Sequence, residues 1–185
     1  TSSAASDVYK RQEQAREAAW KEFVPFAQKG SNMTLSQGGA VVTHSGGSSW
    51  SNGVAAADES LTAGVHCWEV ELTKGDYTTV GVCKADVRPE GGTDSLFFQQ
   101  GRAWVMHAAF GALYPGHQHG AGRVPAGSRL GCKLDLGAGT LHFYKDGVKH
   151  GPGWTGVVGP VKRCVEMYEK GDVATLVRTA PAFRD

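Results

Sequence analysis

The chain has 185 residues, with 19 Lys and Arg against 18 Asp and Glu and a formal net charge of +1. That size suits one domain with a core large enough to fold alone, and the near-zero charge removes the electrostatic footprint of a nucleic-acid or anionic-membrane binder. With 26 glycines, five Trp and seven Phe, about twice the usual glycine share argues against a helical bundle, while the apolar content excludes wholesale disorder. No apolar run reaches the roughly 18 residues of a membrane-spanning helix. A turn-rich, all-β domain remains.

Taken from the N-terminus, residues 1–12 read as a non-native or disordered leader, because no apolar core with a cleavage site follows as in a secretory signal. Residues 13–30 hold the one helical pattern. Ala15, Ala19 and Phe23 recur at helical spacing beside a stripe of Trp20, Val24 and Ala27, and Pro25 and Gly30 mark its end. Such a helix either continues an upstream coiled coil or caps the β-domain with Trp20 and Phe23.

From Met33 onward the period changes from 3.6 to 2. Runs rich in Val, Thr, Tyr and Trp alternate with Gly, Ser and Asn breaks. Strands are predicted at 40–43, 65–72, 77–82, 103–106, 130–136, 140–144, 165–168 and 174–177. In the second, His66, Trp68, Val70 and Leu72 share one face while Cys67, Glu69 and Glu71 share the other, as in a sheet buried on one side. Asp146-Gly147 is the pair favoured by a type I′ hairpin turn. The pattern predicts a two-layer antiparallel β-sandwich over residues 33–178 and a C-terminal tail over 179–185. Cys67, Cys83, Cys132 and Cys164 contain no CxxC pair; reduced, buried thiols of an intracellular, cytoplasmic protein fit better than two disulfides or a zinc site.

Several strings together resemble a known family. Gly64-Val65-His66-Cys67-Trp68-Glu69-Val70-Glu71 followed by Val80-Gly81-Val82 is similar to the opening of the SPRY domain. Leu130 to Leu136, then Gly139-Thr140-Leu141-His142-Phe143-Tyr144-Lys145-Asp146-Gly147, resembles its centre, and Gly159-Pro160-Val161 with Val165, Met167 and Tyr168 its closing strands. Cys67 departs from the usual aromatic and Asp146 from the usual Asn. The resemblance implies a concanavalin-like, jelly-roll sandwich whose loops bind a short linear peptide or a partner protein. It also implies a monomeric domain within a larger adaptor or ubiquitin-ligase-type chain, with no catalytic activity and no cofactor. Positions matching the family's peptide pocket are the stretch His44 to Trp50, then Asp76 and Tyr77, then Tyr168.

The residues themselves add candidates and exclusions. Trp50 stands in a Gly-, Ser- and Asn-rich loop, so it either folds back onto the core or anchors a partner. Phe97 and Phe98 are adjacent; one packs inward and the other, taken as Phe98, is a contact. His117 and His119 flank Gln118 in a flexible loop and suit partner contact or simple solvation, since a metal site needs further converging ligands. Gly151 to Gly156 spells G-x-G-x-x-G, but Pro152 removes an amide and no helix follows, which excludes a dinucleotide site. Asn32-Met33-Thr34 is a formal sequon without a secretory context. The competing function is a lectin-like sandwich using Trp50 and Asn52 against a sugar.

Overall fold

The computed structural model describes residues 4–11, 23–91 and 95–185. Among them, fifteen strands form two antiparallel sheets. The first sheet has the order β1(Phe26–Lys29), β4(Val54–Ala57), β14(Val161–Met167), β6(Thr78–Lys84), β7(Ala103–His107), β8(Ala112–Tyr114), β9(Gln118–His119). The second runs β12(Val148–Lys149), β11(Thr140–Lys145), β10(Arg129–Asp135), β5(Val65–Lys74), β15(Val173–Leu176), β3(Val41–His44), β2(Met33–Ser36), with β13(Trp154–Thr155) also on β11. No described helix is long and apolar enough to cross a membrane.

The core lies between the sheets. Trp68, Val70 and Leu72 of β5 and Leu130, Cys132 and Leu134 of β10 meet Val80 and Val82 of β6 and Val161, Val165 and Met167 of β14. The register pairs Cys132 with Trp68 and Leu130 with Val70, so the alternation read from β5 places its bulky face inward. Asp146 and Gly147 have φ of 49° and 82° and join β11 to β12 with Lys145 opposite Val148. This is the positive-φ pair that a two-residue hairpin requires. All four cysteines are free thiols.

Both sheets bury more than one face. On the second sheet, Glu69 should be exposed by alternation, yet it is buried. The C-terminal segment folds over it: the Val177 amide donates to the Glu69 carbonyl at 3.0 Å, and Phe183 stacks on Tyr144 with centroids 4.1 Å apart. Gly131 makes room for that ring, since a Cβ there would lie 2.4 Å from a Phe183 carbon. On the first sheet, the segment following β6 covers β14, whose seven residues are all buried. Cys164, Val54, Ala56 and Val105 form a second small apolar cluster with Val87 and Leu96 from that segment. Lys162 anchors the cover by donating to the Val87 carbonyl at 2.5 Å and to Gln28.

The N-terminal region departs from the predicted helix at 13–30. A helix is present at residues 4–11, within the stretch read as leader. The expectation for Ala15, Ala19 and Trp20 lies outside the described residues. Phe26–Lys29 is strand, not helix. Pro25 stops any helix, and extended backbone carries Phe26 into the core while pairing it with Ala57 of β4.

Candidate functional site

At one end of the first sheet, β6 begins after Tyr77, β7 ends at His107 and β14 ends before Tyr168. Two loops fold over these ends: residues 45–53, and the turn at Leu96–Phe98. The first is fastened from several sides. The Met167 amide donates to the Gly53 carbonyl at 2.9 Å and the Ser49 amide to the Tyr168 carbonyl at 3.0 Å. Asn32 Nδ2 donates to the Ser51 carbonyl at 2.8 Å, so the sequon asparagine is a brace for this loop. Gly53 is required by close approach, as a Cβ there would sit 2.4 Å from the Met167 carbonyl oxygen.

The second loop is fastened by a buried acid. Glu166 of β14 accepts from the Leu96 amide at 3.1 Å, and burial pushes its carboxyl up to about 8. At neutral pH it is therefore mostly protonated, which lowers the cost of a carboxyl group in a dry site. Ser95 Oγ accepts from the Phe97 amide at 3.3 Å. The resulting turn splits the adjacent phenylalanines. Phe97 packs inward, 4.4 Å from Trp50 and 4.2 Å from Tyr114 between centroids. Phe98 projects outward, 79% exposed.

His107 is the hub of the aromatic cluster. Its ring lies 5.5 Å from Trp50, 5.4 Å from Tyr77, 5.6 Å from Phe97 and 4.6 Å from Phe110. Burial lowers its pKa to about 4, so it packs as a neutral imidazole. Its Nδ1 accepts from the Ala109 amide at 3.2 Å, which places the ring proton on Nε2.

Above this base, Ser48, Ser49, Trp50, Ser51, Ser95, Phe98 and Tyr168 line a cleft of about 520 Å³. Tyr168 lies 5.1 Å from Trp50 and 6.2 Å from Tyr77, linking the cleft to an adjoining ledge of Tyr77 and Phe110, both exposed.

The structure therefore gathers Trp50, Tyr77, Phe98 and Tyr168 at one end of the sandwich. Trp50 satisfies both readings offered for it, because its ring is half-buried against Phe97 and His107 while lining the cleft. Two expected contact residues serve instead as supports. His44 is fully buried and its Nε2 donates to the Ser49 carbonyl at 3.2 Å; burial lowers its pKa. Asp76 is buried and accepts from Arg123 Nε at 2.5 Å, tying the 120–125 loop to the start of β6. His117 sits away from the cleft with positive φ, hydrogen-bonded to the Tyr114 hydroxyl. His119 belongs to edge strand β9, paired with Ala112. No three His, Cys, Asp or Glu side chains converge as metal ligands among the described residues.

Sequence reasoning passed over His107, Phe110 and Tyr114. The available signal was periodicity: two residues past Val105, His107 shares its face of β7, the face buried beneath the cover over the first sheet. Phe110 lies within the turn after β7, and Tyr114 ends β8.

The SPRY domain family model matches residues 65–165, which is more than half of the chain. The chain belongs to the SPRY domain family. Among solved structures, the SPRY domain of human HERC1 superposes with a TM-score of 0.68 at 25% identity, covering 82% of this chain and 96% of that one. The TRIM65 PSpry domain gives a TM-score of 0.63 at 22% identity, covering 88% and 94%. No curated protein sequence matches the chain. On this SPRY domain the cleft draws on residues outside the matched segment, Trp50 before residue 65 and Tyr168 after residue 165, and on Ser95 and Phe98 within it.

Proposed function

We propose that this SPRY domain binds a short, extended segment of a partner protein in the Trp50–Phe98–Tyr168 cleft, with Tyr77 and Phe110 as an adjoining ledge. The observation that carries the reading is Phe98. A phenylalanine that is 79% exposed beside a cleft floored by Trp50 and Tyr168 leaves apolar surface in water that a partner side chain would cover. Rigid aromatic rings give contact area at small entropic cost, and the serines offer hydroxyl and backbone partners for an extended peptide.

Catalysis fits this site poorly. His44 has its Nε2 committed to the Ser49 carbonyl, and Ser48 Oγ donates to Glu169 Oε2 at 3.0 Å. A sugar platform fits poorly too, because the Trp50 ring is packed by Phe97, His107 and Tyr168 rather than laid open. The free thiols suit a reducing compartment, and the domain acts as a monomeric module of a longer adaptor-type chain in this reading. A peptide display library and a glycan array screened with the same protein test it. Enriched peptides whose binding is lost in Phe98→Ala support the proposal; reproducible glycan binding without peptide enrichment overturns it.

A further inference from the structure

The second sheet carries a seat for an extended segment on its outer face. β12 is its edge strand, two residues long, and Arg184 adds to it in parallel opposite Val148. The Arg184 amide donates to the Gly147 carbonyl at 2.8 Å, and the Arg184 carbonyl accepts from the Lys149 amide at 2.9 Å. The residues on either side, Phe183 and Asp185, both meet Tyr144. Phe183 lies flat on its ring, tilted by 7°, in space left by the missing side chain of Gly131. The Tyr144 hydroxyl donates to Asp185 Oδ1 at 2.9 Å. That hydroxyl, with the charges of Lys149 and Lys133, holds the Asp185 carboxyl below the usual carboxylate range. One buried tyrosine thus reads an aromatic ring and a carboxylate two residues apart, while backbone pairing sets the direction of the segment. Strand addition divides its labour in this way: main-chain bonds hold and alternate side chains select.

The present occupant is lightly fastened. Of residues 178–185 only Pro181 is buried, while Arg178, Thr179, Ala182, Arg184 and Asp185 are exposed. Beyond the bond from the Val177 amide to the Glu69 carbonyl, the chain bridges a hollow of about 320 Å³ lined by Glu69, Arg129, Asp146, Gly147, Ala180 and Ala182. Lys149 Nζ lies 3.8 Å from Asp185 Oδ1 with both side chains largely in solvent, and such a pair contributes little. A segment that spans a hollow and pairs with a two-residue edge strand opens locally, without the sandwich.

We propose that this groove is a second docking site, for an extended segment of another protein with an aromatic residue and an Asp or Glu two positions later, and that residues 181–185 are its displaceable resident. The resident shows the chemistry the groove accepts: a flat ring over Gly131 against Tyr144, and an acid where the Tyr144 hydroxyl and Lys149 converge. Held on a short linker, it competes at an effective concentration of about millimolar order, so an incoming segment must outbind it. The groove lies on the other sheet from the aromatic cleft, and either assignment stands if the other falls.

The test is an amide NMR titration of the intact chain with a blocked hexapeptide that has the sequence of residues 180–185. In Phe183→Ala, which empties the aromatic seat, the peptide shifts the Gly131, Tyr144, Gly147 and Lys149 amides saturably, with those of Trp50 and Tyr168 unmoved. It binds this variant roughly tenfold more tightly than the unmutated chain, where the resident segment competes. Replacing the peptide's phenylalanine by alanine, or adding Gly131→Ala to the protein, removes binding; replacing its aspartate by asparagine weakens it. Hydrogen exchange in the unmutated chain gives a second reading. The Lys149 and Arg184 amides exchange roughly tenfold or more faster than that of Leu72, which is bonded to the Ser128 carbonyl at 2.9 Å. Overturning results are a Phe183→Ala chain that does not fold, no saturable binding to it, binding indifferent to the peptide's ring or its acid, or Lys149 and Arg184 amides that exchange no faster than that of Leu72.

Discussion

The ring of Tyr168 rests 5.1 Å from that of Trp50, tilted by 47°, and this contact joins the loop before β4 to the end of β14. Neither ring is held by its own strand. Each is placed by backbone hydrogen bonds from the other's neighbourhood, with the Ser49 amide on the Tyr168 carbonyl and the Met167 amide on the Gly53 carbonyl. Cleft shape and sheet register are therefore coupled, so changes at the rim and beneath it should be separable by measurement.

The rim is tested by Phe98→Ala and Tyr168→Ala. Phe98 is largely in solvent, so its removal should change stability by no more than about 0.5 kcal/mol while reducing affinity for a display-selected peptide about tenfold or more. Tyr168→Ala should show a similar loss of binding with a small destabilisation, as its ring is half-buried. Thermal melts and peptide titrations of the same samples check both. A large stability loss in Tyr168→Ala would make that ring part of the core and misplace the cleft wall.

The core is tested by Trp68→Ala. Trp68 is among the largest fully buried side chains, and Arg163 lies 5.2 Å from its ring centroid. Truncation should cost roughly 3–5 kcal/mol, read by denaturant unfolding. An unchanged midpoint would discredit the register of β5.

The acid beneath the second loop gives a pH signature. Burial raises Glu166 from 4.5 to about 8, so the folded state holds a proton that the unfolded chain has released, and stability falls as pH rises through that window. His107, lowered from 6.5 to about 4, acts in the opposite sense only below 6.5. Asp172, raised from 3.8 to about 6, is likewise spent by then. Between pH 6.5 and 8, Glu166 should dominate, with a slope approaching about 1.4 kcal/mol per pH unit. Glu166→Gln should flatten it; a wild-type chain whose stability rises across this interval would contradict the assignment.

The C-terminal cover is tested at Gly131. An added methyl meets the Phe183 ring, so Gly131→Ala should destabilise by about 1–3 kcal/mol, and Phe183→Leu in the same chain should recover part of it. Equal losses with and without the second change would place the strain elsewhere.

Alternation made the second sheet legible. β5, β10 and β11 each bury one bulky face, and their positions and the Asp146-Gly147 turn follow from pattern and turn chemistry alone. It failed wherever a second layer covers the outer face. Val54-Ala55-Ala56-Ala57 is buried throughout, so small residues replace any alternation and β4 is invisible; Glu69 is buried for the same reason on the other sheet. The aromatic site was half legible. Trp50, Tyr77, Phe98 and Tyr168 stand out as large rings at loop positions, whereas His107 looks like an ordinary strand residue until the fold brings four rings around it. The burial of His44 and Asp76 was not legible, because a polar residue near a loop says nothing about burial; His44 bonds to the Ser49 carbonyl and Asp76 to Arg123.

The most direct test of the binding-site assignment is an amide NMR footprint of a display-selected peptide on the intact protein. Saturable shifts centred on Ser48–Ser51, Ser95–Phe98 and Tyr168, abolished in Phe98→Ala, are the expected result. A footprint on the outer face of the β5–β10–β11 sheet, or one unaltered by Phe98→Ala, would contradict it.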